Sequence, residues 1–448
     1  MRSRTVFAAL VLLAVSIWAV PRLSAAERLV PLPAARRDLV STAEHVVVTQ
    51  PEFTGSLGNL ARRPGYLAYA QRLAARLREP LTRVDLAEAE DLVLSRLHDP
   101  HTSLEGTWNP LSSPDLLPVG FYWAQGGLVA YRVQGSPAAL RTGDRVLALG
   151  GVPAQAILRR AQRFFSGNVP WLKTLTGQDL PFGNTLRWLG LVHGDAVQVE
   201  LARPSGERYD LTVRLVPQSL AADRSYTLGR DAFLSRYLAP SGMAEPVGRS
   251  FYAWRLTPDY GVFWITSSSD TTGYQAAVDA FFRAVRTAGV YYAVIDLGEN
   301  PGGYASVAYP LLEHLPLRPA YAAALPGDVR DQNPAEVFHG KVYVLVDGST
   351  MSAAVFSAEM LSEMSDAVLI GEPAGMASGA LVGAKNFKTP DGIFGYHVST
   401  VYATPVNGVV TAALEPSAAL PLTVRDIQQG IDPVARWLSH LATPRVKT

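Results

Sequence analysis

Residues 342–354 read VYVLVDGSTMSAA, an apolar run that leads into a serine and a group of small residues. The run predicts a buried strand, and the residues from Ala353 onward predict a helix. Upstream, residues 293–303 read AVIDLGENPGG and predict a second buried strand that ends in a glycine-rich turn. Near-continuous apolar strands separated by helices are typical of a sheet covered on both faces. The sequence therefore predicts an α/β unit in the C-terminal half.

The loops that follow these two strands are the first place to look for chemistry. In an α/β sheet, ligands gather beyond the carboxyl ends of the strands. Ser352 at the start of a helix could act as a nucleophile, and backbone N–H groups of the glycine turn could stabilise an oxyanion. Each feature has a plain alternative, because Ser349 or Ser352 could cap the helix and the glycines could form an ordinary turn. Together the two loops predict acyl-transfer chemistry at one edge of the sheet.

Composition limits the other classes of function. The chain has 448 residues, which suggests roughly three domains. Hydrophobic residues make up 48% of the chain, which is enough for packed cores. The 40 Lys and Arg residues balance 39 Asp and Glu residues, so no nucleic-acid partner is predicted. The chain has no cysteine, which excludes disulfides and a thiol nucleophile.

Residues 1–26 have the pattern of a cleaved signal peptide. Two arginines precede an apolar run from Val6 to Val20, and small residues follow at 24–26. An uncleaved anchor is the alternative, but about 15 apolar residues are fewer than the roughly 20 that span a bilayer. We therefore expect a periplasmic or secreted protein with no stable membrane span after the signal is removed.

The chain between the signal and the α/β unit divides into two predicted regions. Residues 27–115 show helical spacing and predict a helical N-terminal region. Residues 116–218 contain short strand patterns and resemble a PDZ domain, with a Gly-Asp turn, an apolar strand and a glycine turn before a helix. Residues 155–190 form an insertion that departs from this pattern, so a generic β-barrel is the alternative. At the C-terminus, residues 442–448 are predicted to be a flexible tail.

Three motifs in the C-terminal half resemble those of a known family. They are residues 296–303, 351–354 and 371–375, which read DLGENPGG, MSAA and GEPAG. They resemble the core of the tail-specific, C-terminal-processing and tricorn-core serine peptidases. The resemblance implies a multidomain α/β protein whose catalytic core, residues 219–441, is of the ClpP or crotonase-like kind.

The same resemblance implies an acyl-enzyme mechanism with Ser352 as the nucleophile. The oxyanion hole would be formed by the backbone N–H of Ala353 and by that of Gly302 or Gly303. No cofactor and no metal ion are part of this chemistry.

The general base is less clear, because the family has two branches. Processing peptidases use a lysine downstream of the serine, but the matching residues here, 375–379, read GMASG and contain none. Lys385 and Lys388 lie further on and would require a shifted alignment. Val355 also stands where processing peptidases often carry a glutamate.

The tricorn-like branch uses an upstream histidine and a glutamate beyond the nucleophile. The sequence Asp99-Pro100-His101-Thr102 resembles the histidine motif, and Glu415 lies in a segment that resembles the glutamate motif. An imidazole titrates near neutral pH, which suits a general base. Pro100 occupies the position of the family's usual hydroxyl residue, which Thr102 or Ser103 could replace.

Each of these residues also has a plain interpretation. His98 and His101 could be satisfied by backbone carbonyls at a helix end, and as metal ligands they lack a third partner in the sequence pattern. Glu415 could be an exposed carboxylate in a turn.

The prediction is an exported serine peptidase that hydrolyses peptides or unfolded protein tails. Its PDZ-like domain would bind the substrate as an added strand. A catalytically incomplete relative that binds hydrophobic ligands or peptides is the main alternative, and a PDZ-like interaction scaffold is a weaker one.

Overall fold

The computed structural model describes residues 29–50, 65–104, 113–218, 247–248 and 251–442. The predicted signal peptide and residues 443–448 of the predicted tail lie outside the described residues. Within these ranges, none of the helices is both long and apolar enough to cross a membrane.

The N-terminal region is helical, as predicted. Its helices are Leu32–Thr49 (α1), Tyr66–Arg76 (α2) and Arg83–Leu94 (α3). Thr82 and Asp85 form a capping box that starts α3. Two short strands follow, Ser103–Leu104 (β1) and Asp115–Leu116 (β2). The three helices bury apolar side chains such as Leu39 and Leu86 in one cluster.

The middle of the chain forms an antiparallel β unit with a helical insertion. Its elements are Gly120–Ala124 (β3), Gly127–Tyr131 (β4), Asp144–Leu149 (β5), Val152–Pro153 (β6), Ala154–Ala161 (α4), Val169–Asp179 (α5), Gly183–Trp188 (α6), Ala196–Ala202 (β7), Arg208–Arg214 (β8) and Val216–Pro217 (β9). The strands pair in the order β3-β4-β5-β7-β8, with β6 against β5 and β2 against β9. The short strands agree with the strand patterns predicted for residues 116–218, and the insertion at 155–190 is helical.

The C-terminal half contains a larger sheet flanked by helices. Its elements are Val247–Gly248 (β10), Tyr252–Leu256 (β11), Tyr260–Ile265 (β12), Tyr274–Thr287 (α7), Tyr292–Asp296 (β13), Ala308–Leu312 (α8), Pro319–Ala322 (α9), Gly327–Arg330 (α10), Lys341–Val346 (β14), Ala353–Met364 (α11), Val368–Gly371 (β15), Ala380–Lys388 (β16), Gly395–Ala403 (β17), Ala418–Ala419 (β18), Val424–Gln429 (α12) and Pro433–Ala442 (α13).

The larger sheet has the order β10-β11-β12-β13-β14-β15-β18 and is parallel from β12 onward. One face buries Phe263 and Val344 beneath α7 and α11, and the other packs Tyr343 against Trp437 of α13. The predicted sheet with two covered faces is therefore confirmed. Strand β13 pairs with β14 in parallel up to Asp296 opposite Leu345, so the loops after both strands meet at one edge.

Strands β16 and β17 form a hairpin outside the main sheet. Its turn is at 390–392, with the N–H of Gly392 donating to the carbonyl of Thr389 at 2.8 Å. Strand β17 also pairs with β1, and its residues Tyr396 and Val398 join the apolar cluster of the N-terminal helices. The hairpin therefore brings the chain around His101 to the α/β unit.

Candidate active site

Ser352 lies at the turn between β14 and α11 in an unusual backbone conformation. Its φ is 50° and its ψ is −125°, a combination that residues other than glycine rarely adopt. The side chain is partly exposed and makes no capping hydrogen bond to α11. The capping alternative is therefore wrong for Ser352, and its hydroxyl lies at the positive end of the helix dipole.

The loop of the candidate nucleophile Ser352, residues 347–352 and called the nucleophile loop below, is held in place by the buried carboxylate of Asp347. Asp347 Oδ1 accepts a hydrogen bond from the Thr350 N–H at 3.2 Å. The Thr350 hydroxyl in turn donates to the carbonyl of Leu297 at 2.9 Å. These bonds fix the nucleophile loop to the end of the neighbouring strand β13.

The glycine loop, residues 298–303, packs directly against Ser352. Asn300 is fully buried, its side-chain oxygen accepts from the Gly302 N–H at 2.9 Å, and its carbonyl accepts from the Met351 N–H at 2.9 Å. A Cβ atom on Gly302 would lie 2.6 Å from the Cβ of Ser352. Only glycine therefore allows the two loops to approach this closely.

Two backbone N–H groups beside Ser352 are candidates for an oxyanion hole. The Gly302 N–H is engaged by Asn300. The N–H groups of Gly303 and Ala353 make no hydrogen bond to other described residues. Of the two glycines that the sequence left open, Gly303 is therefore the one with a free donor.

His101 lies in the loop between α3 and β1, and its side chain is 14% exposed. Both ring nitrogens are buried and have no hydrogen-bond partner among the described residues. Burial lowers the pKa of His101 below its usual value, and nearby His397 adds to this, whereas Asp99 and the Leu381 carbonyl partly offset it. The Leu381 carbonyl faces the ring without hydrogen-bonding geometry. The imidazole is therefore neutral at neutral pH and able to accept a proton.

His101 and Ser352 approach the same strand without a hydrogen bond between them. Leu381, whose carbonyl faces the imidazole, follows Ala380 at the start of β16. Ala380 packs in one apolar cluster with Met351, the neighbour of Ser352. The start of β16 is therefore near both the imidazole and the apolar cluster that contains Met351.

Asp99 is the carboxylate beside His101, and it organises the loop around it. Its Oδ1 accepts from the His101 N–H at 3.0 Å and lies 3.9 Å from His101 Nδ1. Its Oδ2 accepts from Gln50 Nε2 at 2.9 Å, from the Thr102 hydroxyl at 2.6 Å and from the Ser399 hydroxyl at 2.7 Å. One buried side chain thus ties α1, the histidine loop and β17 together.

Comparison with known proteins identifies the family of the domain that contains Ser352. Residues 259–416 match the model of peptidase family S41. The chain contains a family S41 serine peptidase domain. This confirms the resemblance to the tail-specific and tricorn-core peptidases, and it confirms a serine-type peptidase. None of the curated protein sequences compared with the chain matches it significantly.

Solved structures show the fold over a longer range than the S41 domain. A CPAF mutant has a TM-score of 0.68 and 16% identity, covering 92% of this chain and 96% of its own. Mature CPAF complexed with lactacystin has a TM-score of 0.65 and 15% identity, covering 92% of this chain and 98% of its own. The photosystem II D1 C-terminal processing protease has a TM-score of 0.41 and 14% identity, with 89% and 98% covered. The likeness to CPAF covers the S41 domain and the regions before it. The fold of this whole length is therefore a known one.

The structure does not bring Glu415 to His101. Its side chain is exposed and forms no hydrogen bond or ion pair with another described residue. Lys385 and Lys388 lie on β16 with exposed side chains, and neither forms an ion pair within the described ranges. The glycine loop with Gly302 and Gly303, and Ala353 at the start of α11, are the parts of the chain beside Ser352.

Asp99 and Asn300 were not identified from the sequence as residues that position the site, although both lie in motifs quoted from it. Asp99 opens the Asp-Pro-His-Thr motif, where its carboxylate accepts the N–H two residues later, a local pattern that favours aspartate in turns. Asn300 does the same for Gly302 in the glycine loop. Such local side-chain to backbone bonds are a readable signal in both motifs.

Proposed function

We propose that the S41 domain hydrolyses peptide bonds through an acyl-enzyme on Ser352, with His101 as the general base. The observation that carries this proposal is the strained backbone of Ser352 at a strand-to-helix turn against Gly302. Strain of this kind persists only where the surrounding structure holds it, and it clusters at functional sites.

In the proposed reaction, His101 Nε2 takes the proton of Ser352 Oγ as the oxygen attacks the peptide carbonyl carbon. The carbonyl electrons move to the oxygen, which the N–H groups of Gly303 and Ala353 receive. Collapse of this intermediate expels the amine, which takes the proton back from His101. A water molecule then attacks the ester by the same route and releases Ser352.

This reaction requires the imidazole and the hydroxyl to come together when substrate binds. Catalytic hydrogen bonds are often absent in a free enzyme and form only in the substrate complex. Asp99, rather than Glu415, would stabilise the imidazolium, because Asp99 Oδ1 lies 3.9 Å from His101 Nδ1.

Labelling with a fluorophosphonate probe tests the nucleophile. We expect the probe on Ser352, located by mass spectrometry, and we expect Ser352→Ala to lose both the label and peptidase activity. Ser349→Ala is the matched control, because Ser349 lies in the same loop, and it should retain both. A label on Ser349 would overturn the assignment, and the absence of any label would favour the binding-protein alternative.

Substrate capture is the second part of the proposal. We propose that residues 116–218 form a PDZ-like unit that binds an extended peptide as an added strand. The antiparallel order β3-β4-β5-β7-β8 supports this because it leaves β8, which has exposed residues, at an edge of the sheet. Ser352→Ala protein should bind a labelled apolar peptide in fluorescence polarisation without cleaving it. Loss of the signal upon addition of unlabelled peptide is expected, and no binding would contradict this role.

We also propose that the protein is exported, because residues 1–26 have the pattern of a signal peptide. Sequencing the N-terminus of the expressed protein should show a chain that begins near residue 27. A chain that still begins at Met1 would contradict cleavage.

We propose the domain boundaries 27–115, 116–218 and 219–441 on the same basis. Separate apolar clusters in the three segments support them. The apolar cluster of residues 27–115 also includes Tyr396 and Val398 from the β16–β17 hairpin. Residues 27–115 and 219–441 therefore share part of a core.

A further inference from the structure

The helical insertion has no role in the chemistry proposed so far, yet it packs against the nucleophile loop. Helix α5 begins after Asn168, whose side-chain oxygen accepts from the Trp171 N–H at 3.1 Å and caps the helix. Pro170 lies in the first turn, where its missing N–H costs nothing. The start of this helix is thus well defined by its own sequence.

The amide of Asn168 also bonds to two segments of the S41 domain. Its Nδ2 donates to the carbonyl of Ala374 at 2.9 Å and to that of Ala412 at 3.1 Å. The next residue, Gly375, donates its N–H to the carbonyl of Thr350 at 2.9 Å. Asn168 is therefore linked to the nucleophile loop through two adjacent residues, since it binds Ala374 and the next residue, Gly375, binds Thr350.

The backbone of the nucleophile loop lies directly against the insertion. A Cβ on Gly348 would lie 3.0 Å from the Pro170 carbonyl oxygen and 3.0 Å from the Thr174 hydroxyl. A Cβ on Gly375 would lie 2.4 Å from the Gly348 carbonyl oxygen and 3.2 Å from the Trp171 ring. Helix α5, the nucleophile loop and the segment at Gly375 are thus stacked with no room for side chains between them.

Trp171 extends this contact to both sides of the nucleophile. Its ring packs against the apolar cluster that contains Met351 and Val355. Met351 precedes Ser352, and Val355 lies one helical turn after it. The indole therefore supports the residues that set the direction of the Ser352 side chain.

We propose that helix α5 is a positioning element of the active site, acting through Asn168 and Trp171 on the nucleophile loop. This inference rests on the proposed role of Ser352. The strained φ of Ser352 must be imposed by its surroundings. The glycine loop contacts Ser352 itself, and α5 contacts the same loop at Gly348. Asn168 touches no reacting atom and acts only through the position of Ser352.

The test is Asn168→Ser, which keeps an oxygen that can cap α5 but removes the NH₂ group that bonds to Ala374 and Ala412. We expect kcat to fall by roughly 10²-fold, as small misplacements of a nucleophile do, while KM changes little. The rate of fluorophosphonate labelling at Ser352 should fall with kcat. Asn184→Ser is the matched control, because Asn184 lies in the same insertion and its side chain makes no hydrogen bond to other described residues.

Amide hydrogen exchange provides a readout that does not depend on catalysis. Exchange at residues 347–352 should be faster in Asn168→Ser than in the wild type and unchanged in Asn184→Ser. Trp171→Phe, which keeps an aromatic ring, should give a smaller effect in the same direction. Unchanged exchange and unchanged kcat in Asn168→Ser would overturn the positioning role. A wild-type protein that labels on a serine other than Ser352 would instead overturn the proposed function, whatever the exchange shows.

Discussion

Replacing Asp99 with asparagine separates its charge from its structural role. Asparagine keeps the shape of the side chain and one acceptor oxygen, which can still accept from Gln50 Nε2, while its NH₂ group replaces the acceptor of the His101 N–H. Asp99→Asn should therefore disturb the loop less than Asp99→Ala, which would leave several buried donors unpaired. What is lost is the negative charge 3.9 Å from His101 Nδ1.

The size of the effect follows from this distance. Two unit charges about 4 Å apart interact by roughly 1 kcal/mol in water and about 4 kcal/mol at an effective dielectric constant of about 20. If Asp99 stabilises the imidazolium that forms during the reaction, kcat should fall between about 5-fold and about 10³-fold. Loss of the charge should also lower the pKa of His101 further. The acidic limb of kcat/KM should then move to lower pH.

The assay is peptide hydrolysis measured as kcat and KM from about pH 5 to about pH 9, a range that covers the titration of histidine. Thermal melting of each variant checks that the fold is intact. Glu415→Gln is the matched control, since it removes an exposed carboxylate that makes no contact with His101, and it should leave the profile unchanged. If Glu415→Gln is the slow variant and Asp99→Asn has wild-type kcat, the assignment of the carboxylate to Asp99 is refuted.

Three further predictions concern the glycine loop, the lysines and a buried acid. Gly302→Ala should reduce kcat by at least roughly 10²-fold because its Cβ would displace Ser352. Gly206→Ala is the control, because Gly206 also has a positive φ of 87° but has open space around it, and its kcat should not change. Equal kcat values for the two variants would argue against close packing of the two loops. Lys385→Ala should leave kcat unchanged, and an inactive variant would reinstate the lysine base. Burial raises the pKa of Glu90 to about 8, so the folded protein keeps a proton that the unfolded chain loses above about pH 4. The free energy of unfolding should therefore decline from about pH 4 to about pH 8. Urea titrations of Glu90→Gln should show a smaller decline over this range. If the free energy of unfolding of the variant falls with pH as steeply as that of the wild type, Glu90 is not the source of the decline.

Much of the α/β unit was predictable because its strands are buried on both faces. The two apolar runs at 293–297 and 342–346 were predicted as buried strands and form β13 and β14, because such runs have few other ways to be buried. The hairpin strand β16 was not recognised, since its residues around Lys385 are exposed and show no apolar alternation. Phe387 of this strand packs against the apolar cluster of the distant N-terminal helices, a contact that the local sequence does not show.

In the candidate site, too, some residues could be placed from the sequence and others could not. Ser352 and Gly302 follow buried strands, so their place at the edge of the sheet could be inferred from the strands themselves. The proposed choice of Asp99 over Glu415 as the carboxylate could not, because the spacing between Ser352 and Glu415 does not show that the Glu415 side chain is exposed. Asp99 lies beside His101 through a local turn and two hydrogen bonds to distant parts of the chain, from Gln50 and Ser399.

The backbone of Ser352 has a consequence for how this position tolerates replacement. A residue held at φ 50° and ψ −125° stores roughly 1 to 3 kcal/mol that a glycine would release. Ser352→Gly is therefore expected to be inactive yet to melt at a higher temperature than the active protein. A β-branched residue such as threonine would increase the crowding, so cysteine is the only other nucleophile that the turn should accept. Stability and activity are thus in direct conflict at a single residue, and selection for thermal resistance alone would remove the nucleophile.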